Sequence, residues 1–466
     1  MTGTYPRTAR PLGALAVTMG CLLAAPAAGQ NAESGQALNQ DFQSVTYEEV
    51  LENPDDIDLN IRYARTLIEK GQLNQAAITL ERVLIVNPNL DRVRLLYGIV
   101  LYRLDNLAEA RQELQTVLDE GDLDGDLQRQ ARTYLDRIAR RQQDVGGFLT
   151  VGAGLHGDTN RNSFPESGDI RIQNPFNGQP GDQIVPAQGD ENADWGQIAF
   201  AEGRVNYDPG RQRLTNLYAQ ATTLVDNQAQ EDDLDVLAGV AEIGGTVDAT
   251  ELQITPHLRY QHLDVGGAKY AQIPEVGIRF ERTSHAIQGL NGFVETRVSY
   301  EEFNNTFDLP SNEDQNGFRY EIEPGAGYNI FNAWRVEGSY RFTAKDADED
   351  FESYFGHRLR ASSTYVFDYQ GFVTGTASLE YKDFDGMERF VSVTKVREDI
   401  DSRVRLTYGV PVAAILRATG SDDPAAASES LVLSMTGEYF NSESNISNFD
   451  YENWRGSFLV TKRFKF

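Results

Sequence analysis

The segment WRVEGSYRFTA, residues 334–344, alternates strictly between two kinds of side chain. One face carries Trp334, Val336, Gly338, Tyr340, Phe342 and Ala344, and the other carries Arg335, Glu337, Ser339, Arg341 and Thr343. Successive side chains of a β-strand point to opposite faces of the sheet. The segment therefore predicts a strand with one apolar face and one polar, charged face.

The same period of two recurs from Gly147 to the last residue. We predict about fourteen strands, at 147–156, 195–207, 213–224, 233–246, 251–263, 268–282, 287–302, 316–329, 333–344, 354–367, 371–384, 395–409, 429–441 and 450–466. Short connections, such as 208–212 and 330–332, alternate with longer polar ones, such as 157–194 and 303–315. A soluble sandwich can also alternate, but aromatic residues at the strand ends favour a transmembrane antiparallel β-barrel over residues 147–466.

An even number of strands places both ends of such a barrel on the periplasmic side, where short turns are expected. The connection 411–428 departs from this rule, because it is long where a short turn should lie. The chain ends FLVTKRFKF, residues 458–466, with aromatic residues at alternate positions near a terminal Phe466. This ending resembles the signal that bacterial barrel-assembly machinery reads.

A second period, of 34 residues, runs through residues 45–143. Residues of like character recur at this offset in the pairs Pro54 and Pro88, Tyr63 and Tyr97, Ala64 and Gly98, Leu67 and Leu101, Leu73 and Leu107, Ala76 and Ala110, Leu80 and Leu114, and Val83 and Val117. This is the period of the tetratricopeptide repeat, which folds as a helix–turn–helix. Gly71 and Asp105 fall at the turn within each repeat, and 127–141 predicts a further helix that caps the array.

Such arrays bind peptides on the face formed by the first helix of each repeat. The candidate groove residues are Arg62, Arg65, Glu69, Leu95, Ile99 and Tyr102. The alternative is that two and a half repeats only brace the barrel.

The first residues predict an exported protein. Arg7 and Arg10 precede an apolar run from Leu12 to Ala25, and small residues follow, so 1–29 reads as a signal peptide and 30–44 as a flexible leader. Cys21 lies within that peptide and is the only cysteine of the chain, so the mature protein should have no disulfide. A lipidated Cys21 is the competing interpretation.

The composition argues against two classes of protein, those that bind nucleic acid and those that cross a membrane with helices. A net charge of −28 disfavours binding to nucleic acid, because its phosphates would repel the chain. Mean hydropathy is −0.46, and after the N-terminus no apolar run approaches the length of a transmembrane helix.

The predicted inward face of the barrel is charged. Its candidate residues are Arg259, Glu295, Arg297, Glu301, Glu321, Glu323, Arg335, Glu337, Arg341, Arg358 and Arg360. Opposite charges inside a barrel commonly pair and fill the lumen, and a wetted conduit is the functional alternative.

No motif indicates catalysis, a metal or a cofactor, and we expect none. The GxGxxG match at 152–157 precedes a polar loop instead of the helix that a dinucleotide site needs. Asp346, Asp348 and Asp350 lack the rest of a calcium loop. His156 and Asp158 are the only candidates for a general base at a barrel rim.

Three segments carry a family resemblance: the repeat pair at 57–122, the strand FLTVGAGLHGDTN at 148–160, and the ending NFDYENWR at 448–455 with TKRF at 461–464. Together they resemble the Slam family, the surface lipoprotein assembly modulators. The resemblance implies a monomer in the outer membrane that moves lipoproteins or small secreted proteins to the cell surface, with the repeats in the periplasm.

In that family the repeats would receive the client or a periplasmic chaperone, and the barrel would act as conduit. The barrel-assembly complex and membrane lipid are the further partners implied. The alternatives are an exopolysaccharide-export porin with periplasmic repeats, and a passive porin for which the repeats are a bracket.

Overall fold

The computed structural model describes residues 46, 49–50, 53, 56–120, 124–141, 144–172, 182–187, 189–209, 213–249, 251–284, 286–306, 310–331, 333–420 and 430–466. The predicted signal peptide and leader lie outside these residues. The chain forms two compact units, a helical unit that ends at Asp144 and a barrel unit from Val145 to Phe466. No helix in the described part of the chain is long and apolar enough to cross a membrane.

The helical unit consists of paired antiparallel helices. Its described helices are α1 (Ile57–Glu69), α2 (Leu73–Val86), α3 (Asp91–Arg103), α4 (Leu107–Glu120) and α5 (Gly125–Arg141). Each repeat is a helix–turn–helix, as the 34-residue period predicts. Gly71 and Asp105 both adopt positive φ, at 73° and 61°, at the turn of their repeat.

Small residues allow these helices to approach closely. Ala64, Ala76 and Ala110 are fully buried with Leu80 and Leu114, and all five are 0% exposed. Gly98 faces the side chain of Leu114, and a Cβ atom added at Gly98 would lie only 2.8 Å from Leu114 Cγ. The predicted small and large positions of the repeat therefore form its core.

The second unit is a closed antiparallel barrel of fourteen strands, as predicted. The strands are β1 (Val145–Asp158), β4 (Asp194–Tyr207), β5 (Leu214–Gln228), β6 (Val236–Ala249), β7 (Leu252–Val265), β8 (Ala268–Thr283), β9 (Leu290–Phe303), β10 (Gly317–Phe331), β11 (Trp334–Ala347), β12 (Tyr354–Val366), β13 (Phe372–Phe384), β14 (Glu398–Pro411), β15 (Leu431–Ser444) and β16 (Tyr451–Lys465). A hairpin of β2 (Asp169–Ile172) and β3 (Gln183–Pro186) lies in the connection between β1 and β4.

Each strand pairs with its neighbours along the chain, and β1 closes the barrel by pairing with both β16 and β4. Phe148 lies opposite Lys465, so the chain enters and leaves the barrel at one end, which we call the terminal end. The opposite end, the loop end, carries the long connections. At the terminal end the unusual connection 411–428 begins with the short helix α6 (Val412–Ala418).

The outer face of the barrel is apolar. Leu359, Val404, Leu406 and Trp454 point outward and are each more than half exposed. A soluble protein would bury such a continuous surface, whereas a lipid bilayer stabilises it. Fold and outer surface together are those of a transmembrane β-barrel.

We expect Gly98→Val to destabilise the helical unit by about 1–3 kcal/mol, because the new side chain would overlap Leu114. Thermal loss of the helical circular-dichroism signal of the full chain measures the effect. Gly125→Ala is the matched control, since nothing lies within 4 Å of its added Cβ. Equal midpoints for both variants would contradict this close approach.

Candidate functional site

The inward side chains of β6 to β11 form a continuous set of ion pairs, which we call the ion-pair ladder. Arg259 of β7 lies 2.7 Å from Glu242 and 2.8 Å from Glu275. The ladder continues through Arg279–Glu295 at 3.2 Å, Arg297–Glu295 at 3.1 Å, Arg297–Glu321 at 2.8 Å, Arg297–Glu323 at 2.9 Å and Arg341–Glu323 at 2.8 Å. Partly buried charges are stable here because each has a partner of opposite sign.

The structure places the predicted lumenal residues on this inward face. Arg335 pairs with Glu337 at 3.1 Å, and Glu301 holds Arg319 at 2.7 Å and Lys345 at 3.0 Å. Arg358 lies 3.9 Å from Glu380. Within the described chain, Arg360 has no carboxylate within 4.0 Å. Whether these residues line a conduit stays a prediction.

Sequence reasoning missed several charged residues of the same wall. They are Arg279, Arg319, Arg403 and Arg405, with the acids Glu242, Glu275 and Glu438. All seven occupy inward positions of predicted strands, so the alternation that identified the other residues was sufficient to find them.

A row of hydroxyl groups crosses the opposite wall. Thr364, Thr374, Thr407, Thr436 and Ser457 lie opposite one another in register on β12 to β16. Thr364 and Thr374 share a hydrogen bond of 3.1 Å, and Thr407 and Thr436 share one of 2.9 Å. One side of the lumen therefore presents paired charges, and the other presents a row of neutral hydroxyl groups beside arginines and a smaller number of acids.

His156 is buried near the loop end, where it bridges two carboxylates. Its Nδ1 lies 3.0 Å from Asp158, and its Nε2 lies 2.5 Å from Asp226 of β5. The ring crosses β4 at Gly196, where a Cβ atom would lie 2.5 Å from Nε2. Arg455 of β16 binds Asp226 at 3.0 Å and completes the cluster.

This geometry bears on His156 and Asp158 as candidates for a general base. The side chain of His156 is 0% exposed and that of Asp158 is 1% exposed. Both imidazole nitrogens already have carboxylate partners, so neither is free to accept a proton from a substrate. The side chains of this cluster link β1, β5 and β16.

The connection between β1 and β4 is held across the loop end by Asp182. Its carboxylate accepts hydrogen bonds from Ser392 Oγ at 2.5 Å, Thr394 Oγ1 at 2.5 Å and the Val393 amide at 2.8 Å, and it pairs with Arg171 at 3.0 Å. Burial alone would raise the pKa of Asp182, but these donors hold it well below its usual range.

The backbone of this connection also binds the loop before β16. The Arg171 amide donates to Asn448 Oδ1 at 2.6 Å, and the Glu166 amide donates to the Asp450 carbonyl at 2.9 Å. Three connections at the loop end are therefore joined to one another.

A group of acids lies in the neighbouring connections. Burial, together with the negative charges of Glu352 and Asp314 and against the positive charge of Arg397, raises the pKa of Glu388 to about 7. Burial likewise raises the pKa of Glu352. At neutral pH, Glu388 is therefore close to its titration midpoint.

The predicted groove residues of the helical unit differ in their exposure. Arg62 and Glu69 are exposed on α1, and Arg65 and Ile99 are partly buried. Leu95 and Tyr102 are each 3% exposed and belong to the core, where Tyr102 packs edge-on against Tyr134 of α5 at 5.3 Å. A ligand on this face would contact the polar residues of α1 first, and the groove role stays a prediction.

Within the described residues, no group of three or more histidine, cysteine or acidic side chains is arranged to hold a metal ion.

Comparison with solved structures finds other barrels. An anion-selective porin from Comamonas acidovorans shares 8% identity at a TM-score of 0.37, over 69% of this chain and 99% of that one. A loop-deletion mutant of the outer membrane protein OmpT of Vibrio cholerae shares 7% at 0.35, over 69% and 100%. OccAB3 of Acinetobacter baumannii shares 10% at 0.33, over 69% and 100%.

Likeness at this level carries no inference about what the chain does. Neither a protein-family model nor a curated protein matches the sequence. The resemblance to the Slam family therefore stays a prediction. Closure, the apolar outer face and the polar lumen define the class, a β-barrel of the outer-membrane type.

We expect Asp182→Asn to release the β1–β4 connection from residues 385–397, because an amide replaces a charged acceptor of three hydrogen bonds. Charge-assisted hydrogen bonds contribute about 1.5–3 kcal/mol, so trypsin should cut after exposed Arg389 or Lys395 about tenfold faster. Asp190→Asn in the same connection is the control. Unchanged cleavage would show that Asp182 does not hold the loops together.

A second prediction concerns pH. Because the folded-state pKa of Glu388 is raised, its stabilising effect on loop packing is present below its ordinary pKa of 4.5 and is lost as pH rises through about 7. Hydrogen exchange at 385–397, corrected for intrinsic rates, should therefore speed up over this interval.

In Glu388→Gln this pH dependence should disappear, and in the exposed control Glu313→Gln it should remain. A pH response that survives Glu388→Gln would assign the effect to another group.

Proposed function

We propose that this chain is an outer-membrane translocation factor that delivers lipoproteins or small secreted proteins to the cell surface. The helical unit would receive the client, or a periplasmic chaperone that carries it, and the barrel would act as the conduit. The chain would function as a monomer, with the barrel-assembly complex and membrane lipid as further partners.

This proposal rests on one observation, that a single chain contains both a helical-repeat unit and a closed barrel. The chain enters the barrel at Val145, at the end where the short connections lie. In outer-membrane barrels the short turns face the periplasm. The helical unit would then lie in the compartment where an exported client waits.

Two features of the barrel favour a conduit that opens only for its client. Paired side chains of the ion-pair ladder occupy one side of the lumen, and Asp182 joins two connections at the loop end. In this proposal, a passing client displaces these joined loops. The sequence contains no Walker motif, so the driving force would come from folding or binding of the client outside the cell.

One observation favours a second candidate, a passive or exopolysaccharide-export porin. The hydroxyl row from Thr364 to Ser457 offers neutral hydrogen-bonding groups of the kind that a carbohydrate could exchange for water. A passive pore should conduct in planar bilayers without a client, whereas a client-gated conduit should stay closed.

Deletion of the gene, followed by labelling of intact cells with a membrane-impermeant biotin reagent and mass spectrometry, tests the proposal. One or a few lipoproteins or small secreted proteins should disappear from the surface and return on complementation. An unchanged surface proteome would reject client delivery and direct attention to the porin candidate.

The receiving role of the helical unit has its own prediction. Charge reversal of Arg62 and Arg65 to Glu should reduce surface delivery in complemented cells while barrel abundance stays normal. Arg92→Glu, an exposed position on α3 outside the predicted groove, is the control. Full delivery by the Arg62 and Arg65 variant would leave only the bracing role for these repeats.

A further inference from the structure

The inward residues of β12, β13 and β14 form a lattice of three rows in the middle of the barrel. One row contains Arg358, Glu380 and Asp401, the next Arg360, Ser378 and Arg403, and the third Ser362, Thr376 and Arg405. Within each row the residues face one another in register across adjacent strands. Arg360 and Arg403 therefore lie on either side of one small residue, Ser378.

Positive charge exceeds negative charge in this lattice. Arg403 and Arg405 share one carboxylate, Glu438, to which Arg403 lies at 3.4 Å and Arg405 Nε donates at 2.5 Å. Glu380 lies 3.9 Å from Arg358, and Asp401 is bound by Lys382 at 2.6 Å. Arg360 has no carboxylate within 4.0 Å in the described chain.

One nitrogen atom in each of two guanidinium groups of the lattice also makes no hydrogen bond. Nη1 of Arg403 and Nε of Arg358 are buried and make no hydrogen bond among the described residues. They face Glu438 at 3.4 Å and Glu380 at 3.9 Å as ion pairs only. The side chain of Arg403 is only 7% exposed. A buried, charged donor that makes no hydrogen bond is costly, and an added anion that accepts one would reduce that cost.

The arginines of the ion-pair ladder have more carboxylate partners than those of the lattice. In the ladder Arg297 has three glutamate partners, at 3.1, 2.8 and 2.9 Å. Arg341 likewise has Glu321 at 3.5 Å and Glu323 at 2.8 Å. In the described chain, Arg358 and Arg403 each have one carboxylate within 4.0 Å, at 3.9 Å and 3.4 Å, and Arg360 has none.

We propose that Arg358, Arg360, Arg403 and Arg405 form a binding site for an oxyanion, a solute that carries a carboxylate or phosphate group. Guanidinium groups bind such anions through paired hydrogen bonds, and the hydroxyls of Ser378 and Thr376 lie in the same rows as further donors. The site goes beyond the proposed function, because it rests on the lumenal charges alone.

The test is calorimetric titration of the full chain, in a neutral detergent, with inorganic phosphate and in parallel with acetate. Ionic strength is held constant with sodium chloride. We expect saturable binding of at least one of the two oxyanions by the wild-type protein. Arg360→Gln should weaken that binding about tenfold, because it removes a charge-assisted donor.

The variants are chosen so that the barrel still forms. Arg360→Gln breaks no ion pair within the described chain, and Arg403→Gln leaves Glu438 paired with Arg405. The control is Arg204→Gln, since Arg204 is an inward arginine of β4 that contacts Asn206 and Gln220 and no carboxylate within 4.0 Å. Altered migration of unheated protein in detergent gels verifies folding of each variant.

Loss of binding in both Arg360→Gln and Arg403→Gln, with binding retained in Arg204→Gln, would support the site. Absence of saturable binding of either anion to the wild type would overturn it. Equal weakening in all three variants would overturn it too, since the response would then reflect the overall potential of the lumen.

Discussion

Closure of the sheet is the constraint on which the rest of the barrel depends. In hydrocarbon, every backbone amide and carbonyl must find its partner within the protein. β1 provides these partners on both of its edges, to β16 and to β4, so no strand is left with an unpaired edge. The apolar outer face is possible only because every barrel strand beneath it is paired on both edges.

Closure also fixes which side chains must share the lumen, and glycine provides the space. The ring of His156 reaches Asp226 across β4 because Gly196 has no side chain. Gly277 makes the same room on β8 beside His257. Inward glycines therefore let large side chains cross one strand and contact the next but one, which stiffens the wall beyond its backbone ladder.

Sequence periodicity predicted the strands and the direction in which residues such as Arg297 and Arg341 point. It could not predict their partners, because Arg297 meets Glu321 through the register of two strands. Asp182 and Ser392 are 210 residues apart, and no local pattern connects them. In the helical unit Tyr102 was predicted to lie on the groove face, but it is buried against Tyr134 of α5.

The two sides of the lumen have different consequences for anything that passes through it. The ion-pair ladder satisfies its own charges, so a solute gains little there and would have to break existing pairs. On β12 to β16 the inward arginines outnumber the inward acids. The threonines there form hydrogen bonds between uncharged hydroxyl groups. A solute can replace those contacts at little cost, so a path through this barrel would follow the wall that contains Arg360 and Arg403.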